Sequence, residues 1–228
     1  MQKPVMNWIG FAIVFVLFFA THSIPVRPAI KSRLVSKLGS RGFTLAYSVL
    51  SLVMLGLLIF AANRAPFVLL WDLAVWQKYV TLVGMFAVCM LLAVSIGRPN
   101  RFSFGGARND QFDTARPGIV RWTRHPLLVA LALWAGLHLL PNGNLAHVIL
   151  FGVFLGFAIL GQGIIDRRKK RTIGHSHWQD LINEISITPV IQSLQPFQFL
   201  CLRLLAGCLA YMALIFAHTL LLGVSPLP

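Results

Sequence analysis

The chain has 228 residues, 57% of them hydrophobic and only 11% charged, with a mean hydropathy of +0.75. Soluble domains carry roughly a quarter charged residues, so the composition excludes an ordinary soluble globule and points to a membrane protein. The net charge of +14 would suggest nucleic acid on a soluble chain. Here the basic residues flank apolar runs, which topology and anionic lipid head groups explain, and no nucleic-acid partner is expected.

Crossing the hydrocarbon core takes ~20 apolar residues in a helix. Six spans are predicted in chain order: Val5–Ser23, Gly42–Ala62, Val75–Ile96, His125–Leu140, Leu145–Ile165 and Phe199–Gly223. The first follows Lys3 as a signal peptide would, but it runs into Thr21-His22-Ser23-Ile24-Pro25 without a small-x-small cleavage site, so it reads as a retained span. The fourth is the shortest; starting from a head-group position makes it long enough. Pro141-Asn142-Gly143-Asn144 is turn chemistry without charge, and it predicts a tight hairpin between spans four and five. Neither an internal repeat nor a low-complexity linker interrupts the chain. The expectation is an all-α, polytopic bundle of about six transmembrane helices forming a single domain over 1–228.

Orientation follows from Lys and Arg. Seventeen of the twenty lie after span one (Arg27 to Arg41), between spans three and four (Arg98 to Arg124), after span five (Arg167 to Arg171) or at Arg203. Only Lys3, Arg64 and Lys78 fall on the other side. The positive-inside rule then places both termini on the side of the membrane away from the cytoplasm, the periplasmic side if the membrane is a bacterial inner membrane. Between spans five and six, Thr172–Gln198 carries Trp178, Leu181, Ile182, Ile185 and Ile187 at helical spacing. It reads as an amphipathic helix on the cytoplasmic surface.

Cys89, Cys201 and Cys208 lie in apolar runs without CxxC spacing, which argues against a disulfide framework or a zinc site. The histidines are more informative. In the stretch 116–138 a basic loop through Arg121 and Arg124 meets His125-Pro126 and turns at once into an apolar helix, proline being suited to the first helical position. His22 ends span one and His125 begins span four, so both are expected near the cytoplasmic boundary. Two helices offering imidazoles at one depth suit a haem iron with two axial histidines; the plainer alternative is a head-group contact or an interhelical hydrogen bond. His138, ~20 Å further along the helix at the standard rise, and His147 and His218 lie nearer the outer side, where Trp134 one turn before His138 singles that residue out. Asp166, at the end of span five, can pair with arginines of the third-to-fourth loop or orient a cytoplasmic-side histidine.

The loop after span three contains Gly105-Gly106 but lacks the strand–glycine–helix context of a nucleotide phosphate loop. Its arginines, Arg124 beside His125 among them, suit haem propionates or a lipid phosphate. No Ser-His-Asp constellation and no paired-carboxylate site is visible in the spacing.

Several segments together resemble the NnrU family: Phe-Phe-Ala-Thr-His-Ser at 18–23, Leu-Ala-Tyr-Ser-Val-Leu-Ser-Leu at 45–52, Thr-Arg-His-Pro-Leu-Leu at 123–128, Leu-Trp-Ala-Gly-Leu-His-Leu-Leu-Pro-Asn-Gly at 133–143 and Asp-Arg-Arg-Lys-Lys-Arg at 166–171. The resemblance covers about 5–190, leaving the last helix, about 199–223, outside it. It implies an inner-membrane protein linked to denitrification and nitric-oxide metabolism. The family includes 15-cis-ζ-carotene isomerase, a haem b enzyme, whose iron-ligating histidines match His22 and His125. The resemblance thus implies haem b as cofactor, a polyene or a small nitrogen oxide as its ligand, and isomerase-like chemistry if the chain is an enzyme. The isomerase has a cysteine before its Thr-Arg-His-Pro motif; Trp122 stands there in this chain and cannot ligate iron. Arg-His-Pro opening a span is also similar to isoprenylcysteine and phospholipid methyltransferases that use S-adenosylmethionine, although their Glu-rich, Tyr-containing segment is replaced by Asp166-Arg167-Arg168-Lys169-Lys170. A non-enzymatic membrane assembly factor is the remaining alternative.

Overall fold

The computed structural model describes residues 6–104, 106–190 and 197–228. Lys3, Val5, Gly105 and the stretch 191–196 of the predicted amphipathic segment lie outside the described residues. Among those described the fold is all-α. Its helices are α1 (Trp8–Ser23), α2 (Pro28–Arg64), α3 (Val75–Ser95), α4 (Pro126–Leu139), α5 (Leu145–Ile173), α6 (His175–Ile187) and α7 (Phe197–Ala217), the last continued by a π-turn over His218–Leu222.

Six of these helices are apolar. Four are long and apolar enough to cross a membrane: α2, α3, α5 and the stretch Gln198–Leu222 that joins α7 to its π-turn. The other two, α1 with 16 residues and α4 with 14, are shorter. At the helical rise α4 spans ~21 Å, less than the ~30 Å hydrocarbon core. Pro141 follows close behind it and has no N–H with which to continue the helical hydrogen-bond series.

Two helices extend beyond the spans predicted for them. α2 begins at Pro28 rather than near Gly42 and takes in the basic stretch. At Gly39 the backbone leaves helical space (φ 70°, ψ 165°), so a basic and an apolar helix meet at a kink that glycine alone adopts cheaply. α5 continues past Ile165 through the run Arg167–Arg171, whose cations suit a helix C-terminus, and stops where Gly174 turns to φ 92°.

The chain groups into two compact units, Met1–Trp71 with Gly143–Leu150, and Asp72–Asn142 with Phe151–Pro228. In the first, α1 packs on α2, and the Tyr47 hydroxyl donates to the His22 carbonyl at 3.0 Å. Two backbone bonds, Leu70 N–H to Gly143 O and Leu145 N–H to Val68 O, both 2.8 Å, pin the chain after α2 against the start of α5. Leu58, Ala61, Ala62, Ala146 and Leu150 are fully buried.

In the second unit α3 packs against both α4 and α7. Thr81 Oγ1 donates to Leu137 O at 2.9 Å, and Tyr211 donates to Leu82 O at 3.1 Å. Arg203 of α7 reaches the end of α3, donating to the carbonyls of Ala93 and Ile96. Small residues allow the close approach: a Cβ on Gly84 would press on Leu137, and one on Gly207 on Met90. α6 is amphipathic as expected, but protein covers its apolar face. Trp178, Leu181 and Ile185 form a buried cluster with Phe102 and Val120 from the α3–α4 connection. Arg121 fastens the far end of α6, donating to Ile185 O at 2.6 Å and Ser186 O at 3.1 Å.

The hairpin glycine tests the first unit. A Cβ at Gly143 would overlap the Trp71 carbonyl oxygen, whereas one at Gly56, inside α2, meets nothing. Gly143→Ala is expected to destabilise the detergent-purified protein by about 3 kcal/mol, and Gly56→Ala to stabilise it by roughly 1 kcal/mol. Unfolding followed by circular dichroism measures both.

Candidate functional site

The α3–α4 connection builds the site around a single asparagine. Asn100, nearly fully buried, accepts at Oδ1 from the backbone N–H of Phe102 (2.9 Å) and of Ser103 (3.2 Å). Its Nδ2 donates to Arg124 O at 3.0 Å, and its own N–H donates to Asn109 Oδ1 at 2.9 Å. Both ends of the connection are thereby joined. Of the two adjacent residues that Asn100 orients, Phe102 enters the α6 cluster and Ser103 meets His125.

His125 caps the N-terminus of α4, with Pro126 as the first helical residue. Its imidazole is buried, with only 3% of the side chain exposed, and both ring nitrogens are engaged. Nδ1 lies 3.0 Å from Ser103 Oγ, and Nε2 lies 2.8 Å from Asp166 Oδ1. Asp166 is shared: Arg124 donates to its Oδ2 through Nη2 at 2.7 Å and to its Oδ1 through Nε at 3.3 Å. An ionised carboxylate only accepts, so Nε2 carries a proton. Nδ1 then either accepts from the Ser103 hydroxyl or, when protonated, donates to it. Rotation of one hydroxyl accommodates either arrangement.

Ser103, His125 and Asp166 thus stand in the order of a catalytic triad, a constellation that their spacing in the chain concealed. The chemistry differs from acyl transfer. Ser103 is 1% exposed, and its amide and that of Phe102 are spent on Asn100, so they cannot form an oxyanion hole. The array suits holding a proton on Nε2 against the Asp166 carboxylate. Ser103 and Asn100 carried no signal in the sequence beyond being polar residues in a basic loop.

The other residues singled out by sequence fall elsewhere. His22, half-buried in the first unit, stacks on Phe18 at 4.1 Å between ring centroids and donates from Nδ1 to the Phe18 carbonyl at 3.0 Å. His147 meets Asn63 Oδ1 at 3.1 Å. His138 bonds the Trp134 carbonyl at 2.8 Å. Trp122 is exposed.

Haem ligation needs a free imidazole nitrogen. His22 fits this need: its Nδ1 bond to a carbonyl sets the tautomer that leaves Nε2 to a metal. His125 as arranged does not fit, because Ser103 and Asp166 hold both of its nitrogens. Arg124, read as a propionate contact, is committed to Asp166.

Apolar helices of this length, with a buried histidine–carboxylate–guanidinium array at the mouth of one of them, define a multi-pass membrane protein with a polar centre at a helix boundary. The model of the family described as NnrU protein matches residues 10–226, and the chain belongs to that family. No curated protein and no solved structure matches it.

Removing the shared carboxylate should cost more than removing its exposed partner. Asp166→Ala leaves a buried Nε2–H without an acceptor and is expected to cost about 2–3 kcal/mol. Arg124→Ala breaks a pair whose arginine is 43% exposed and is expected to cost less than about 1 kcal/mol. Thermal unfolding of the two variants and of the double variant checks the order and the coupling.

Proposed function

We propose that this NnrU-family chain is an inner-membrane protein of nitrogen-oxide metabolism that uses haem b with His22 of the first unit as an iron ligand, and that His125, in the second unit, forms a separate polar centre that holds a proton. The observation that carries the proposal is the buried imidazole bonded to Ser103 on one nitrogen and to the Arg124-bound Asp166 on the other. Such an array is costly to build into an apolar environment, and polar groups there mark sites of function. Haem b, when bound, would supply an iron that takes a small nitrogen oxide or polarises a polyene. His22 would supply the ligand nitrogen for that iron, through Nε2.

A visible spectrum of protein expressed with haem supplementation tests the cofactor. The expected result is a Soret band that His22→Ala abolishes while circular dichroism stays unchanged. His125→Ala should leave the band in place. A folded wild-type protein without the band overturns haem binding. Loss of the band in folded His125→Ala would return His125 to the ligand set and displace Asp166 from it.

The charge distribution further supports periplasmic termini. Alkaline phosphatase fused after Pro228 should be active, and green fluorescent protein at the same place dark.

One observation favours a second reading. The carboxylate that follows span five meets the Arg-His-Pro motif directly, through Arg124 and His125. The methyltransferases that share the motif place acidic residues after the corresponding span. Calorimetric titration with S-adenosylmethionine separates the readings, and micromolar binding would favour a methyltransferase.

A further inference from the structure

His138 and His218, 80 residues apart in sequence, come together in the second unit with ring centroids 6.0 Å apart and planes tilted by 30°. They are held in the same way. Each Nδ1 bonds the carbonyl four residues earlier, Trp134 O at 2.8 Å for His138 and Leu214 O at 3.3 Å for His218. Among the described residues no hydrogen bond engages either Nε2. A backbone carbonyl on Nδ1 fixes the tautomer and leaves Nε2 as a ligating nitrogen, as the outer partners of metal-bound histidines do.

The backbone at both residues is also specialised. His138 lies at the end of α4, where Asn142 Nδ2 donates to its carbonyl at 2.7 Å. His218 opens the π-turn that ends the last helix.

The spacing suits a single ion. A metal–nitrogen bond of ~2 Å puts each ring centroid about 3 Å from the ion, so two imidazoles on opposite sides of it stand roughly 6 Å apart. A tetrahedral angle would bring the centroids closer than that. Trp134 and Phe151 pack beside the His138 ring, with centroids at 5.3 Å and 5.2 Å, so the surroundings are aromatic rather than anionic. The described residues contain no group of three or more His, Cys, Asp or Glu that could hold a metal. Two neutral ligands in an apolar setting leave a divalent charge uncompensated, which is costly. A soft monovalent ion that accepts two imidazoles in a line avoids that cost.

We propose that His138 and His218 form a two-coordinate site for Cu(I). The site is independent of the haem reading, which rests on His22. Losing an outer partner of a metal ligand already weakens binding about 10–100-fold, so losing one of two ligands should weaken it by at least about 100-fold.

The test is an anaerobic titration of the full-length, detergent-purified protein with Cu(I) against a chromophoric chelator, joined to X-ray absorption at the copper edge. The expected result is one Cu(I) per chain with a shell of nitrogen alone. His138→Ala and His218→Gln should each lose at least about 100-fold in affinity, while His147→Ala keeps it. His218 stands on a partly exposed segment, so its variant should retain wild-type helicity and keep the comparison valid. Absence of Cu(I) binding by the folded wild-type protein, unchanged affinity in His218→Gln, a sulfur-dominated shell, or Zn(II) held as tightly as Cu(I) would each overturn the proposal.

Discussion

The carboxylate of Asp166 is the point on which the polar centre depends. It accepts from Arg124 on one side and from His125 on the other, linking the start of α4 to the charged end of α5. Neither partner could stand there alone at low cost. A buried imidazole must have its nitrogens satisfied, and a partly buried carboxylate needs a cation or several donors. Shared between the two, Asp166 meets both demands. This also accounts for the length of α5, because a helix ending at the apolar boundary would not carry Asp166 within its last turns.

Packing and chemistry meet in two adjacent residues. Phe102 and Ser103 are both oriented by the Asn100 side chain, yet the first is buried against Trp178 of α6 and the second bonds His125. The amphipathic helix therefore covers the connection that supplies Ser103. Burial of Trp178, Leu181 and Ile185 stabilises the loop geometry that the imidazole requires. A helix whose apolar face suggested lipid instead serves as the lid of a small core.

The histidines sort by how they use Nδ1. In His22, His138 and His218 it bonds a carbonyl four residues back, a contact that a helix offers to its own side chains and that leaves Nε2 available. In His125, at a helix N-terminus with no such carbonyl behind it, both nitrogens turn to side chains from distant parts of the chain. The first arrangement suits a ligand. The second suits a fixed polar centre.

What could be read from the letters alone were the properties that hydrophobicity and local chain chemistry impose. These are the membrane class, the six apolar helices, the hairpin at Pro141–Asn144, the proline-started helix after His125 and the membership that its motifs announced. Each rests on a run or a turn of neighbouring residues. The extension of α2 to Pro28 escaped this reading because a basic stretch looks like a loop until Gly39 is seen to separate two helices. Tertiary structure alone decided which polar atoms meet. Ser103 and Asp166 stand 22 and 41 residues from His125, and His218 stands 80 from His138. Hydrogen bonds act over about 3 Å of space, whatever the separation along the chain, so only the folded packing of the helices could bring these groups within reach.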